Sequence, residues 1–326
     1  MSKIVTHSGA FHADDVMSGA VLKTLFPYLE VVRTRDENVL KAALADKDTI
    51  VFDVGGECNA DTHNFDHHQK GGGGTRKNGV PLSSFGLIWR RFGIEFCTRV
   101  IAVQTIDTDV HPQVLMNEID TELVQGVDAI DAGAVDDPRF RPAIGPHMHD
   151  TCVEVQTISG VLFDLNPHKL LGATDEDFDV AYGAAVEIAS AYLRSFCLTQ
   201  LARLHGKRLI EQGRRIEDQI VVATAVVPDW SDVVSGPDGF EETMFYLDPD
   251  GSDPTGQAYM IWQVPTEPRG FAGRKPLPES WAGLRGNALV AQTGIEGANF
   301  CHGGRFVGGG KTLEAAIAMA KAAIKA

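Results

Sequence analysis

Four short blocks of histidine and aspartate punctuate the first half of this chain, and each falls where a strand or a helix should end. They read His7-x-x-x-x-His12-x-Asp14-Asp15, then Asp53 behind an apolar run, then Asp66-His67-His68, then Asp128-x-x-Asp131. The segments between them alternate in periodicity. Ile4-Val5 closes a short strand, and Asp14 and Asp15 cap a helix to about Phe26 with Val16, Ala20, Leu22 and Leu25 on its apolar face. Glu30–Arg33 reads as a strand, Glu37–Ala45 as a short helix and Thr49–Val54 as a strongly apolar strand. Such alternation predicts a parallel sheet with helices on its faces, where ligand groups gather at the carboxyl ends of strands.

Further along, Gly71–Gly74 is a glycine loop, Ser83-Ser84 starts a helix through about Arg91, and another helix runs from about Pro112 to Ile130. Ala134–Asp150 lacks periodicity and reads as a loop. A long helical pattern spans about Glu176 to Gln212. Beyond it lie apolar strands at Ile220–Val227, Phe245-Tyr246 and Tyr259–Val264, a turn at Asp248–Gly256, and an alanine-rich helix at Lys311–Lys325. A chain of 326 residues is long for one domain. The expected division is a metal-binding catalytic domain over 1–165, a helical connector over 166–215 and a substrate domain over 216–326.

The net charge of −15 disfavours a broad electrostatic surface for nucleic acid. It favours short or small substrates over long duplexes. Five scattered cysteines, Cys58, Cys97, Cys152, Cys197 and Cys301, are odd in number and form no Cys-x-x-Cys pair. A disulfide framework or a thiolate zinc site is not expected, and a reducing, cytoplasmic setting is. The opening residues carry no basic leader and no long apolar stretch, so no secretory signal is expected.

Imidazole nitrogen and carboxylate oxygen together suit manganese, zinc, iron or cobalt. Two such ions clamp the attacking and leaving oxygens of an in-line displacement and lower the pKa of a bound water, and one carboxylate such as Asp53 can bridge them. Phosphoryl transfer needs this positioning and charge neutralisation more than covalent chemistry. Taken singly, His7 would read as a satisfied histidine and Asp14 or Asp15 as a helix cap. The four blocks together point to a metal-dependent phosphoester hydrolase.

The order of the blocks resembles the DHH phosphoesterase superfamily, and within it the Myg (melanocyte-proliferating-gene) family of DHH-like exonucleases. The segments that carry the resemblance are Thr6–Asp15, Val51–Gly56, Phe65–Gln69, Leu82–Leu87, Val127–Gly133, Leu165–Pro167, Arg274–Pro278, Gly283–Arg285 and Phe300–Gly309. The resemblance implies an α/β fold, with a DHH-type parallel-sheet N-terminal domain and a smaller α/β C-terminal substrate domain. It implies that His7 and His12 hold one metal, that Asp53 bridges, and that Asp14, His67 and one of Asp128 or Asp131 hold the other. His68 would face the scissile phosphate. His12 stands where the superfamily's first motif carries a carboxylate, so metal identity and ion count stay open. Two manganese ions are expected, with magnesium, zinc or cobalt as alternatives. The implied activity is exonuclease cleavage of RNA or short oligonucleotides through a metal-activated water.

Near the end of the chain, Gly308-Gly309-Gly310-Lys311-Thr312 is similar to the end of a phosphate-binding loop, but Arg305 stands where its first glycine is required. As glycines opening a helix, they and Lys311 would still form an anion seat. His302 and Arg305 would add donors, and Arg274 and Lys275 a basic rim. Phe300 and Phe306 are candidates for base stacking or for core. Three functions stay open: an oligonucleotide phosphodiesterase, a pyrophosphatase or small-phosphoester hydrolase, and a metal-stabilised RNA-binding or scaffold protein. A homo-oligomer is compatible with each.

Overall fold

The computed structural model describes residues 1–105, 108–134, 156–236, 240–268, 270 and 272–326. The loop expected over 134–150 falls, beyond Ala134, outside these residues, as does Cys152. The chain divides into two compact units, Met1–Leu201 and Ala202–Ala326.

The first unit begins β1 (Lys3–Thr6), α1 (Ala13–Leu25), β2 (Glu30–Arg33), α2 (Glu37–Ala45) and β3 (Thr49–Phe52), followed by the two-residue strands β4 (Cys58–Asn59) and β5 (Asn64–Phe65). The sheet order is β2-β1-β3-β5-β4. Neighbours pair parallel except for the antiparallel edge pair β4–β5. The chain leaves β1 toward β2 on one side and returns to β3 on the other. The β1–β3 junction is therefore the point where strand order reverses, the usual crevice for ligands in open α/β sheets.

Helix α1 buries every residue from Ala13 to Leu22, because α3 (Ser84–Ala102) and α7 (Asp175–Glu211) both cover it. α3 runs well past the expected end at Arg91. Phe92, Phe96 and Val100 continue its buried face, and the intervening Gly93 does not stop a helix that packing holds. The helix expected over 112–130 is present as α4 (Pro112–Ile119), a π turn (Asp120–Val124) and α5 (Gln125–Asp131). A short α6 (Ile158–Phe163) follows. The boundary between the units falls inside α7, which buries Phe178, Tyr182, Ala185, Ala189, Leu193 and Cys197. The expected connector over 166–215 is thus largely part of the first unit.

The second unit holds β6 (Arg214–Ile216), β7 (Ile220–Val222), α8 (Trp230–Val234), β8 (Phe245–Pro249), β9 (Tyr259–Gln263), α9 (Gly286–Thr293), β10 (Ala298–Cys301), β11 (Val307–Gly310) and α10 (Leu313–Lys325). Its sheet order is β10-β11-β9-β8-β7-β6, antiparallel except for β7–β8. One core joins Phe245, Leu247, Ile261, Leu277 and Leu289 to Ala316, Met319 and Ala320 of α10. Ile210, Val221, Tyr246 and Val264 belong to a second core. Among the described residues, no helix is long and apolar enough to cross a membrane.

Candidate metal centre

Three parallel strands of the first unit deliver the blocks to one place. His7 follows β1, Asp53 follows β3, and Asp66-His67-His68 follow β5, all at carboxyl ends on either side of the strand-order reversal. Asp53 stands in the left-handed region (φ +57°), a conformation that aspartate tolerates better than most residues. Strain of this kind persists where the surroundings over-determine it. The buried Asp53 carboxylate lies between two histidines, with His7 Nε2 at 3.1 Å from Oδ2 and His67 Nε2 at 3.1 Å from Oδ1.

The first turn of α1 supplies Asp14 and Asp15, both fully buried. Asp15 accepts from the His12 backbone N–H at 3.0 Å through Oδ1, an N-terminal cap. Its other oxygen lies 3.4 Å from His7 Nε2. Asp14 Oδ2 accepts from Ser84 N at 3.3 Å and lies 3.6 Å from His67 Nε2. Asp131, at the end of α5, lies 3.4 Å from the same nitrogen. Three groups have ligand atoms close enough to share an ion: His7, Asp15 and Asp53; Asp53, His67 and His68; and His12, Asp14 and Asp131. Asp53 belongs to two of them, as a bridging carboxylate would.

The electrostatics show a deficit of positive charge. Burial, with Asp14 and Asp53 nearby, pushes the Asp15 carboxyl well above the ordinary range, and burial with Asp53 pushes Asp14 up. Asp131 rises to about 8, through burial and the charge of Asp14. Burial alone would raise Asp53, but hydrogen bonds from His67 and His7 outweigh it and hold that carboxyl low. His67 rises to about 9, because its bond to Asp53 and the charges of Asp14, Asp53 and Asp131 outweigh its burial. Among the described residues, Asp14 Oδ1 and Asp15 Oδ2 are buried with no hydrogen-bond partner. Unpaired buried carboxylate oxygens are costly. A divalent cation is the partner that four converging carboxylates and the neutral face of histidine suit. The residues present therefore fit a metal.

His12, Asp14, Asp53, His67 and Asp131 converge as the blocks imply, and Asp15 joins them. Asp15 carries no ligand signal of its own in the sequence, because two adjacent acids at a helix start read as capping. Of the two alternatives, Asp131 belongs to one of the three groups and Asp128 to none. Its Oδ1 accepts from Ser83 Oγ at 2.5 Å and Gly86 N at 2.9 Å, and its Oδ2 from Arg76 Nη1 at 2.7 Å. The reason is spacing: Asp128 and Asp131 lie three apart on one helical face, and the inner one meets the start of α3. A Cβ on Gly86 would lie 2.0 Å from Asp128 Oδ2, so the contact requires glycine. Asp66 is also structural. It accepts from Gly56 N, His67 N, His68 N and His68 Nδ1 at 2.6, 2.7, 3.1 and 2.8 Å. The last bond leaves His68 Nε2 outward on a side chain that is 63% exposed.

The loop from His7 to His12 has its own supports, drawn from distant parts of the first unit. The Asn166 amide clamps Phe11, accepting from its N–H at 2.9 Å and donating to its carbonyl at 2.8 Å. Arg33, over the Tyr182 ring, donates to Gly9 O at 2.7 Å, and Tyr182 Oη donates to Asp15 O at 3.1 Å.

The expected anion seat of the second unit takes a different form. Gly308, Gly309 and Gly310 do not open a helix: they lie in β11, with β10 on one side and β9 on the other. Their peptide groups face those strands. A Cβ on Gly310 would lie 2.5 Å from Ala316 N, and one on Gly309 2.7 Å from the Phe300 ring. Close packing explains these glycines. The Lys311 N–H donates to Gly297 O at 2.8 Å, and Thr312 caps α10. Arg274 is no free rim, since its Nη1 donates to Phe240 O at 2.6 Å and Thr243 O at 2.9 Å. His302 and Arg305 lie in the exposed β10–β11 turn, where Arg305 adopts φ +62° and Phe306 is 42% exposed beside the His302 ring.

Comparison with known proteins agrees with the resemblance read from the motifs. The human protein named MYG1 exonuclease is 31% identical over 346 residues, covering 99% of this chain and 85% of that protein. The MYG1 protein of Schizosaccharomyces pombe is 30% identical, covering 99% and 97%, and that of Dictyostelium discoideum 29%, covering 97% and 94%. The model of one protein family, described as an uncharacterised protein family (UPF0160, MYG1_exonuc), matches residues 3–324. The chain belongs to the MYG1 (UPF0160) family.

Proposed function

We propose that this chain is a divalent-metal-dependent phosphodiesterase that removes nucleotides from the ends of short oligonucleotides, RNA foremost. The observation that carries the reading is the sharing of Asp53 between two ligand groups, beside oxygens of Asp14 and Asp15 that make no hydrogen bond among the described residues. The name of the human relative, an exonuclease, supports the substrate class.

His7, Asp15 and Asp53 would hold one ion. Asp53, His67, Asp14 and Asp131 would hold a second, with His12 at the rim. Manganese suits this oxygen-and-imidazole set, and magnesium, zinc and cobalt are the competitors. When bound, divalent ions supply charge neutralisation for the phosphate and lower the pKa of water. The chain's own contribution is orientation. Asp53 is held ionised by two imidazoles, and Asp66 fixes the His68 tautomer by accepting from Nδ1. His68 Nε2 would then be free to accept a proton from the attacking water or, once protonated, to hand one to the leaving oxygen. Arg76 fixes Asp128, and Asp128 in turn braces the start of α3, whose Ser84 N–H donates to Asp14.

The test is turnover of short RNA, short DNA and pyrophosphate with manganese, by this chain and by its Asp53→Asn variant. RNA cleavage that vanishes in the variant is the expected result. Equal activity in the variant overturns the catalytic reading, and cleavage of pyrophosphate alone overturns the oligonucleotide one.

A further inference from the structure

A cavity of about 430 Å3 opens beside the metal centre, and His12 and Asp131 line both. The size lies within the range of small-molecule sites. Its other walls come from two short helices. Val127 and Ile130 of α5 form an apolar side, and Phe163, at the end of α6, forms another. Phe163 is half exposed, at 50%. Its ring lies nearly parallel to that of His12, at 7° and 6.0 Å between centroids. A large aromatic left open to solvent against a polar catalytic cluster is a surface that gains by being covered.

The cavity also holds a polar group without a partner. Ser159 is only 8% exposed, and its Oγ makes no hydrogen bond among the described residues. Thr157, on the same wall, accepts from Gly160 N through Oγ at 3.2 Å, so its hydroxyl proton remains available. A buried hydroxyl left unpaired costs free energy that a ligand's polar edge recovers. An apolar slot with a flat aromatic wall and two hydroxyls on one side matches a heteroaromatic ring with a hydrogen-bonding edge. It matches neither a phosphate, for which the lining residues offer no lysine or arginine, nor a plain alkyl chain.

We propose that this cavity is a nucleobase subsite, in which the base of the nucleotide at the metal centre stacks on Phe163 and bonds Ser159. The inference rests on the phosphodiesterase reading for its substrate class and adds the element that would tell a nucleotide from an inorganic or sugar phosphate. Stacking on an aromatic ring is sequence-tolerant, so the subsite would accept any base, with Ser159 and Thr157 grading the preference.

The test is equilibrium binding, which needs no turnover. Adenosine 5′-monophosphate and ribose 5-phosphate are titrated into the full chain with manganese present, by calorimetry. The base-bearing probe should bind about ten-fold tighter or more. Phe163→Leu should remove most of that ratio, Phe163→Tyr should keep it, and Ser159→Ala should reduce it less. Ile130→Trp fills the cavity from the opposite wall and should also remove it, which keeps the test decisive if Phe163→Leu does not fold. A ratio near one in the unaltered chain, or a ratio that survives both Phe163→Leu and Ile130→Trp, overturns the subsite. The ratio can be read even if RNA is not cleaved, so failure of the hydrolase reading and failure of this one are separate results.

Discussion

The strand-end crevice of the N-terminal unit and the glycine hairpin of the C-terminal unit both read as ligand sites in sequence, and the structure treats them in opposite ways. In the crevice, fully buried carboxylates keep oxygens with no hydrogen-bond partner among the described residues. In the hairpin, the three glycines are enclosed by β9, β10 and α10. A binding site is recognised by polar atoms that the fold leaves unpaired. A motif whose polar atoms are all taken is architecture.

Four measurements break or sharpen this contrast. The largest effect is expected at Asp53. Asp53→Asn should lower kcat/KM for short RNA by roughly 10^3-fold or more, because the stabilisation lost is several kcal/mol. A fall of similar size for Lys311→Ala would erase the distinction between the regions. Next comes Arg76→Met, which leaves Asp128 buried without its cation. Unfolding in denaturant should show a loss of about 3–5 kcal/mol, and a loss below about 1 kcal/mol would show that the Asp128 brace is dispensable.

The third measurement is a pH titration of stability. Burial raises Asp248 in the second unit from 3.8 to about 6. The folded state therefore holds a proton that the unfolded chain releases, and its stability should fall as pH rises from about 4 to 6 and then level. The drop should be about 3 kcal/mol. Asp248→Asn, which can still accept from Trp262 Nε1, should flatten it. In the metal-free first unit, the raised groups Asp131 and His67 act in the same direction. Asp131 favours folding below about pH 4 and loses that contribution up to about 8. His67 holds its contribution below about 6.5 and loses it up to about 9. Manganese should suppress that decline in the first unit and leave the Asp248 step unchanged. The smallest effect is Gly310→Ala, which should cost about 1–3 kcal/mol of stability by overpacking and leave phosphate binding unaltered. A binding loss at unchanged stability would restore the anion-seat reading.

Much of the first unit is legible in the sequence because its signals are local. The apolar run ending in Asp53 places β3 near its strand end, and α2 and α10 are read from their sequence as helices, while β5, only Asn64-Phe65, has no apolar run to announce it. The strands β10 and β11 are not legible. A strand of Val-Gly-Gly-Gly has no alternating side chains to read, and triple glycine before Lys-Thr imitates a helix start. The ligand blocks converge because each sits at an element end, whereas the choice between Asp131 and Asp128 depends on the partner that each helix face meets. The partners of Arg76, Asn166 and Tyr182 are not legible for the same reason. These partners, Asp128, Phe11 and Asp15, lie 52, 155 and 167 residues away in sequence, and no local pattern encodes such a pairing.

The Asn166 clamp has a consequence for the proposed ion and base sites. It grips Phe11, next to His12, and the same amide nitrogen also donates to the carbonyl of Phe163 at 2.9 Å. One side chain thus ties the imidazole rim to the aromatic wall, and a shift of either is felt by the other. Whatever factor a cation adds to base affinity, the base must return to cation affinity, because linked equilibria are reciprocal. Replacing Asn166 by leucine should shrink the part of that coupling that passes through the protein, read as a smaller effect of manganese on the ratio of adenosine 5′-monophosphate to ribose 5-phosphate affinity.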